Sequence, residues 1–177
     1  MQKLIIFILL TISLVSFAQN KNEELITWSE TQKLTWSDYK GKVQPGNDAA
    51  ASTATYLGIE YSFNRSGLDY KITCSFSKTR SWGLHKTDDI LAHEQGHFDI
   101  AEVFARKLNK QMSEYVFNKN TFKDDLKKIY MTLTTEKDVF QNQYDEETNH
   151  SIKKEKQAEW LKKIEGLLKE LKVFSNY

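Results

Sequence analysis

The chain has 177 residues, of which 40% are hydrophobic and 28% are charged, a composition typical of a soluble globular protein of one domain. Its formal net charge of +1 argues against a nucleic-acid-binding protein, because such proteins concentrate Lys and Arg on one surface. The single cysteine, Cys74, excludes an intrachain disulfide and a cysteine-rich zinc module.

Residues 1–18 have the features of a signal peptide. Lys3 precedes an apolar run that ends at Phe17, and small residues stand where a signal peptidase cleaves. The run is shorter than the about 18 to 20 apolar residues of a membrane-spanning helix. We therefore predict cleavage after Ala18 and a single exported domain of residues 19–177, periplasmic or extracellular, with no stable membrane anchor.

Two segments of alternating apolar and polar residues follow. Residues 57–63 and 68–76 each have the period of two that is typical of a half-buried strand, and a turn sequence separates them. This pattern predicts an antiparallel β-hairpin. Cys74 falls on the inward face of the second strand, where we interpret it as a small buried hydrophobic residue.

The rest of the chain has a helical period. We predict a first helix with Thr87 as its N-cap, a second from Phe122 toward Tyr144, and a third from about Ile152. Thr132, Thr134 and Thr135 are candidate interruptions of the second helix. The third is amphipathic, and packing on its own domain is favoured over binding to a membrane surface. The predicted fold is α+β, an N-terminal antiparallel β-hairpin or meander followed by about three helices.

Residues His93 to His97 read H-E-x-x-H within the first predicted helix. Histidines four residues apart lie on the same helix face, so both imidazoles can bind one Zn2+ at about 2.0–2.1 Å. Glu94 lies about 100° round the helix from His93, where it can reach a metal-bound water as general base. The alternative interpretation, two core histidines, is disfavoured because unpaired polar groups are costly in an apolar stripe.

Gly96, between the two histidines, predicts the close approach of another element, because glycine is unfavourable within a helix. The third protein ligand of the zinc ion should come from a segment other than this helix. Asp99 and Glu102 lie on other faces of the helix, and we expect Glu102 to pair with Arg106. His85 is interpreted as a surface residue.

The segment from Tyr144 to His150 is rich in potential ligands. We prefer His150 as the third zinc ligand, with Asp145, Glu146 and Glu147 as carboxylate alternatives. If His150 binds the metal, Asp145 can accept from an imidazole N–H in the second shell, and Tyr144 can donate to an oxyanion during catalysis.

Several of these segments together resemble a bacterial family of unknown function whose members are described as predicted secreted zinc-dependent proteases. The resemblance is carried by residues 36–41, Ser81-Trp82, residues 86–102, residues 144–150, Gln157 and Trp160. It implies a zincin-like peptidase with His93, Glu94 and His97 in the usual roles on a zincin-like active-site helix. One departure is Ser151, where the family usually has Gly.

These observations favour a secreted zinc-dependent peptidase acting on peptide or protein substrates, with Zn2+ as cofactor and Glu94 as general base. One alternative is a non-catalytic exported protein with a structural zinc site or a partner in the cell envelope. Another is a zinc hydrolase acting on a non-peptide amide, because the same residues serve that reaction. We expect no nucleic-acid partner, and the sequence makes no prediction of the oligomeric state.

Overall fold

The computed structural model describes residues 23–43, 46, 49–64 and 67–177. The predicted signal peptide, residues 1–18, and two residues of the predicted hairpin turn, 65 and 66, lie outside the described residues. Within the described part of the chain, none of the helices is both long and apolar enough to cross a membrane.

The described residues form an α+β fold, as predicted, with short N-terminal strands and a long hairpin followed by three helices. The strands are β1 (Leu25–Thr27), β2 (Ala51–Ser52), β3 (Thr55–Asn64), β4 (Gly67–Ser77) and β5 (Trp82–Gly83). The helices are α1 (Asp88–Glu114), α2 (Phe122–Thr148) and α3 (Lys154–Glu170). All pairings in the two sheets are antiparallel, in the orders β1-β4-β3 and β2-β5.

The predicted hairpin is confirmed as β3 and β4. Leu57 pairs with Cys74 and Ile59 with Ile72, which places the apolar residues of both strands on one face. Cys74 is 1% exposed and Phe76 is fully buried, because α1 packs across this face. The alternation of apolar and polar residues in the sequence therefore correctly predicts which face of the hairpin is covered by the helices.

Helix α1 begins where the sequence predicts, since the Thr87 hydroxyl group accepts from the backbone N–H of Ile90 at 3.3 Å. The helical period of the sequence predicts one narrow interior-facing stripe on the first helix, formed by Ile90, His93, His97, Ile100, Phe104, Leu108 and Tyr115. The surface that α1 buries is wider than this stripe. Besides Ile100, Phe104 and Leu108, residues on other faces of the helix are buried, among them Phe98, Ala101, Val103 and Ala105. The reason is that β3 and β4 pack against one side of α1 while α2 and α3 pack against others.

Helix α2 runs without interruption to Thr148, so the threonines that were candidate interruptions do not break it. The Thr134 hydroxyl group donates to the carbonyl of Tyr130 at 2.9 Å, so it is satisfied within the helix. Helix α3 begins at Lys154, two residues later than predicted. Both differences leave the helix order and the site segments as the sequence indicates.

Three consecutive residues with positive φ reverse the chain between α2 and α3. Asn149, His150 and Ser151 have φ values of 48°, 49° and 74°. None is glycine, and a left-handed conformation costs a residue with a Cβ about 1 kcal/mol or more. The glycine that usually occupies the position of Ser151 in the resembling family would adopt this φ without strain.

Candidate metal centre

The two histidines of the H-E-x-x-H segment lie side by side on α1. His93 is 3% exposed, and its Nε2 lies 3.2 Å from Nε2 of His97. Their rings are perpendicular, with centroids 4.8 Å apart. The one-turn spacing thus aims both Nε2 atoms at one point, as the sequence predicts.

A carboxylate from α2 completes a triangle of donor atoms. Oδ1 of Asp145 lies 3.0 Å from Nε2 of His93 and 3.0 Å from Nε2 of His97. Distances of 3.0–3.2 Å are close to the edge, about 3.3 Å long, of a tetrahedron whose metal–ligand bonds are 2.0–2.1 Å. These three atoms therefore have the spacing of three ligands around one zinc ion.

A glutamine from α3 fixes the tautomer of His93. The Tyr144 hydroxyl group donates its only proton to the carbonyl oxygen of His93 at 3.2 Å, so its oxygen accepts from Nε2 of Gln157 at 2.5 Å. Oε1 of Gln157 then faces Nδ1 of His93 at 2.8 Å, and this nitrogen must carry a proton. Nε2 of His93 is left with a lone pair.

Gln141 on α2 does the same for His97. Its Nε2 donates to the carbonyl oxygen of His97 at 3.0 Å, and its Oε1 faces Nδ1 of His97 at 2.5 Å. Both histidines therefore present unprotonated Nε2 atoms to the carboxylate of Asp145. Three acceptors without a donor among them repel one another unless a proton or a metal ion lies between them, so this arrangement is compatible with a metal site.

When no metal is bound, a proton can take the place of the cation. Burial alone would lower the pKa of His97, but the hydrogen bond to Asp145 and the negative charge of Glu94 outweigh it and raise that pKa. Burial would likewise raise the pKa of Asp145, but the adjacent imidazoles of His93 and His97, which share a proton with it when no metal is bound, hold that pKa well below its usual range. The site therefore favours one positive charge between the imidazoles and the carboxylate.

Glu94 supplies a second buried carboxylate next to this cluster. The residue is 5% exposed, and its Oε2 atom has no hydrogen-bond partner among the described residues. Leaving a buried carboxylate oxygen unpaired is costly, and such atoms in folded proteins commonly face an ion or a water molecule. Since Glu94 lines the same cavity as the two histidines, a ligand or water molecule there could contact the orphaned atom.

Tyr144 lies behind the cluster and not in front of it. It is fully buried, its ring stacks on His93 with centroids 4.5 Å apart, and its proton is committed to the His93 carbonyl. The element that Gly96 predicted is this side chain: a Cβ at Gly96 would lie 2.9 Å from Cζ of Tyr144. This geometry favours a positioning role for Tyr144 over donation to an oxyanion.

His150 stands at the edge of the site. Its side chain is 72% exposed, and its Nδ1 lies 3.5 Å from Oδ1 of Asp145. Donor atoms of His93, Asp145 and His150 all lie within 4.8 Å of one another. His150 is thus close enough to reach a metal ion, but it is less closely placed than Asp145.

The remaining candidates lie elsewhere. Glu146 and Glu147 are exposed, and Glu147 accepts from Nε1 of Trp160 at 2.7 Å. Asp99 accepts from Nε1 of Trp28 at 2.7 Å. Glu102 forms the predicted pair with Arg106, with Oε1 2.8 Å from Nε, although both side chains are buried; His85 is exposed.

The cluster opens into a cavity of about 990 Å³. His93, Glu94, His97, Asp145 and His150 all line it. Residues 49–56, which include β2, form another part of its wall. A cavity of this size accommodates several residues of a peptide or a small molecule.

Comparison of the sequence with known protein families identifies the family of this chain. A family described as bacterial protein of unknown function (DUF922) matches residues 16–151. The chain belongs to this family. The DUF922 match contains every donor candidate from His93 to His150 and ends at Ser151, so Gln157 lies beyond it. No curated protein and no solved structure matches the chain.

Sequence reasoning assigned no role to Gln141. Its spacing holds a signal, since Lys137, Gln141 and Asp145 follow one another at intervals of four residues and share one face of α2. All three line the cavity. Gln157, which the family resemblance included without a role, comes from a different helix, and no spacing rule could assign its contact with His93.

Proposed function

We propose that this protein is an exported zinc-dependent metallohydrolase that cleaves peptides or proteins, with Glu94 as its general base. The single observation that carries the proposal is the donor triangle of His93, His97 and Asp145 beside the unpartnered Oε2 of Glu94, in the wall of a 990 Å³ cavity. These distances favour Asp145 as third ligand over His150, which the sequence alone had favoured.

When bound, zinc would supply the Lewis acid that activates a water molecule and polarises the scissile carbonyl group. The side chains of the cluster have separate tasks. Gln141 and Gln157 keep the protons of the histidines on Nδ1, so that both Nε2 atoms stay available as ligands. Glu94 accepts a proton from the attacking water and passes it to the leaving amine, and its burial keeps bulk water from competing for that proton.

The backbone of β2 supports a peptide as substrate. The carbonyl of Ala50 accepts from the N–H of Leu84 at 2.8 Å, so this residue faces the β5 side. Successive residues of an antiparallel strand direct their backbone groups to opposite sides, so Ala51 directs its backbone groups away from β5, toward the edge of β2 that no described strand pairs with. Ala51 lines the cavity, where an extended peptide can add to this edge.

The second candidate function is a non-catalytic protein with a closed structural zinc site. The proximity of His150 to Asp145, with Nδ1 3.5 Å from Oδ1, favours it, because a fourth protein ligand leaves no coordination position for water. In that case loss of zinc unfolds the domain and no peptide is cleaved. The 72% exposure of His150 argues for the catalytic alternative.

The deciding experiment compares the zinc-loaded protein with its Glu94→Gln variant on a mixed peptide library. We expect about one zinc ion per chain in both proteins, cleavage by the unmodified protein and at least about a hundredfold slower cleavage by the variant. Glu114→Gln is the matched control, since it removes the same charge from the exposed end of the same helix. Equal cleavage by the Glu94→Gln variant would overturn the role of Glu94.

Two further variants identify the third ligand. Asp145→Asn should lower zinc occupancy sharply, whereas His150→Ala should retain most of the zinc. The reverse order would return His150 to the ligand set. Absence of cleavage by a fully zinc-loaded protein, together with unfolding when zinc is removed, would favour the structural site.

A further inference from the structure

Two cationic side chains line the cavity besides the metal-site candidates. They come from separate parts of the fold: Arg80 from the connection between β4 and β5, and Lys137 from the middle of α2. Neither contacts the donor triangle through a hydrogen bond or ion pair in the described residues. Their presence in this wall needs an explanation, because the proposed hydrolytic reaction does not use them.

Lys137 is a largely buried cation. Its side chain is 16% exposed, and its ammonium group pairs at 2.9 Å with Oδ1 of Asp138, a carboxylate that is itself 68% exposed. The only ion pair of Lys137 among the described residues is therefore with a largely solvated carboxylate, and ion pairs with solvated partners contribute little to stability. An anion that enters the cavity would give Lys137 a partner within the same sheltered space.

The position of Lys137 relates it to the proposed reaction centre. It lies eight residues before Asp145 on α2, two turns or about 12 Å along the helix axis, and shares its face. An extended peptide advances about 3.3 Å per residue. When the bond to be cleaved lies at the proposed metal centre, an anionic group on the peptide a few residues away from that bond can therefore reach Lys137.

Arg80 is held in place at the cavity wall. Its Nη1 donates to the Tyr56 hydroxyl group at 2.7 Å, and its guanidinium lies 5.7 Å from the centroid of the Tyr56 ring. The Tyr56 hydroxyl group donates in turn to Glu23 at 2.7 Å. A planar guanidinium ordered in this way retains further N–H donors for a carboxylate.

The charges of the cavity favour an anionic occupant. Among the residues that line the cavity, the carboxylates of Asp145 and Glu94 would balance a divalent metal ion, and no further lining carboxylate balances Arg80 and Lys137. The acidic neighbours of these two cations, Glu23 and Asp138, do not line the cavity. We infer that the cavity selects peptides that carry a carboxylate within a few residues of the cleaved bond, either on an acidic side chain or at a free C-terminus. This inference rests on the proposed function for the position of the bond.

Binding tests the inference without depending on cleavage. Four peptides share one neutral core: a version blocked at both ends, one with Glu added, one with Lys added, and one with a free C-terminal carboxylate. Their dissociation constants are measured by fluorescence anisotropy with the zinc-loaded Glu94→Gln variant. We expect the peptide with Glu or the one with the free C-terminus to bind about tenfold tighter than the blocked neutral peptide, and the Lys peptide to bind weakest.

The two carboxylate peptides distinguish the sources of the anion. Tighter binding of the Glu peptide indicates a preference for acidic side chains, and tighter binding of the free C-terminus indicates recognition of a chain end. Added salt should reduce either preference, because ions screen the attraction. Equal dissociation constants for all four peptides would overturn the inference.

Variants link the preference to the two cations. Introduced beside Glu94→Gln, Lys137→Met should reduce the ratio of neutral to acidic dissociation constants several-fold, and Lys137→Arg should preserve it. Lys128→Met is the control, since it removes the same charge from an exposed site on α2 outside the cavity. A preference that survives Lys137→Met combined with Arg80→Gln would also overturn the inference.

Failure of the proposed function is a distinct result. If the unmodified zinc-loaded protein cleaves none of the peptides while the binding preference persists, the peptidase proposal fails and the anion-selective cavity stands. If it cleaves all four peptides and binds them equally, the reverse holds.

Discussion

The ring of Tyr144 stacks on the ring of His93, with centroids 4.5 Å apart and planes inclined by 19°, and its hydroxyl group donates to the His93 carbonyl. The same hydroxyl group accepts from Gln157, which in turn faces Nδ1 of His93. One side chain of α2 thus fixes both the backbone and, through Gln157, the tautomer of a proposed ligand on α1. Its contacts therefore fix the geometry of the proposed metal centre.

The variant Tyr144→Phe keeps the ring and removes these hydrogen bonds. We expect a loss of about 1 kcal/mol in the free energy of unfolding and about tenfold weaker zinc binding, because Gln157 loses the partner that orients it. Chelator competition and urea denaturation measure the two effects. At saturating zinc, cleavage should largely recover; an activity that stays low at full zinc occupancy would instead support donation from Tyr144 to an oxyanion.

Gly96 and Gly166 form a matched pair of helical glycines with opposite expectations. A Cβ at Gly96 would lie 2.9 Å from Cζ of Tyr144 and closer still to its hydroxyl oxygen, whereas a Cβ at Gly166 on α3 meets no atom within 4 Å. Gly96→Ala should therefore destabilise the protein by about 1–3 kcal/mol through overpacking. Gly166→Ala should stabilise it by about 0.5–1 kcal/mol, because alanine is the better helix former.

Urea denaturation of both variants without zinc separates packing from metal binding. Equal effects of the two substitutions would contradict the close approach of Tyr144 to α1. The zinc affinity of the Gly166→Ala protein should match that of the unmodified protein, since α3 contacts the cluster through Gln157 and not through this glycine.

Local patterns in the sequence predict much of this fold. The alternation of β3 and β4 gives the hairpin, and the Thr87 cap and the four-residue spacing of the histidines give α1 and one side of the proposed metal centre. Burial around the whole of α1 could not be predicted, because it depends on how many elements pack against that helix. The periodicity of apolar residues in one segment indicates which face of the helix is preferentially buried. It does not indicate how many other elements pack against the remaining faces.

The choice between Asp145 and His150 shows where sequence reasoning stops. Both residues belong to the segment that was expected to contribute a ligand, and they are five residues apart. Their distances to the histidines depend on where α2 ends and on the three positive φ values that follow it. Since Asp145 still belongs to the helix, its side chain points at α1, while the left-handed turn carries His150 to the exposed edge.

Gln157 is the contact that the third helix makes with the proposed metal centre. Gln157→Leu removes the acceptor for the N–H of His93 Nδ1 and leaves a buried donor unpaired. We expect about 10- to 100-fold weaker zinc binding from this change. Gln157→Glu, which retains an acceptor for this N–H, should lose less.

The corresponding control is Gln143→Leu, an exposed glutamine on α2 whose Nε2 donates to Glu147. This substitution should leave zinc affinity unchanged. Zinc affinities that are the same for Gln157→Leu and the unmodified protein would show that the tautomer of His93 is fixed by other means.

Zinc affinity should depend on pH in a direction set by His97. Its pKa is raised above the ordinary value of about 6.5, because the stabilising hydrogen bond to Asp145 and the charge of Glu94 outweigh the effect of burial. A protonated His97 cannot bind zinc, so protons compete with the metal below this raised pKa. Apparent affinity should therefore start to fall above pH 6.5 on acidification, by about tenfold per pH unit for each proton displaced.

Chelator competition between pH 8.5 and pH 5.5 measures this dependence. The low pKa of Asp145 keeps its carboxylate ionised throughout that range, so the decline reports the protonation of His97 and not that of the carboxylate. In Asp145→Asn the hydrogen bond that raises the pKa of His97 is weakened, and the decline, measured relative to the lower affinity of that variant, should move to lower pH. His85→Gln, which changes an exposed histidine outside the cavity, should reproduce the unmodified profile. An affinity that stays constant down to pH 6 would contradict the assignment of His97 as a ligand.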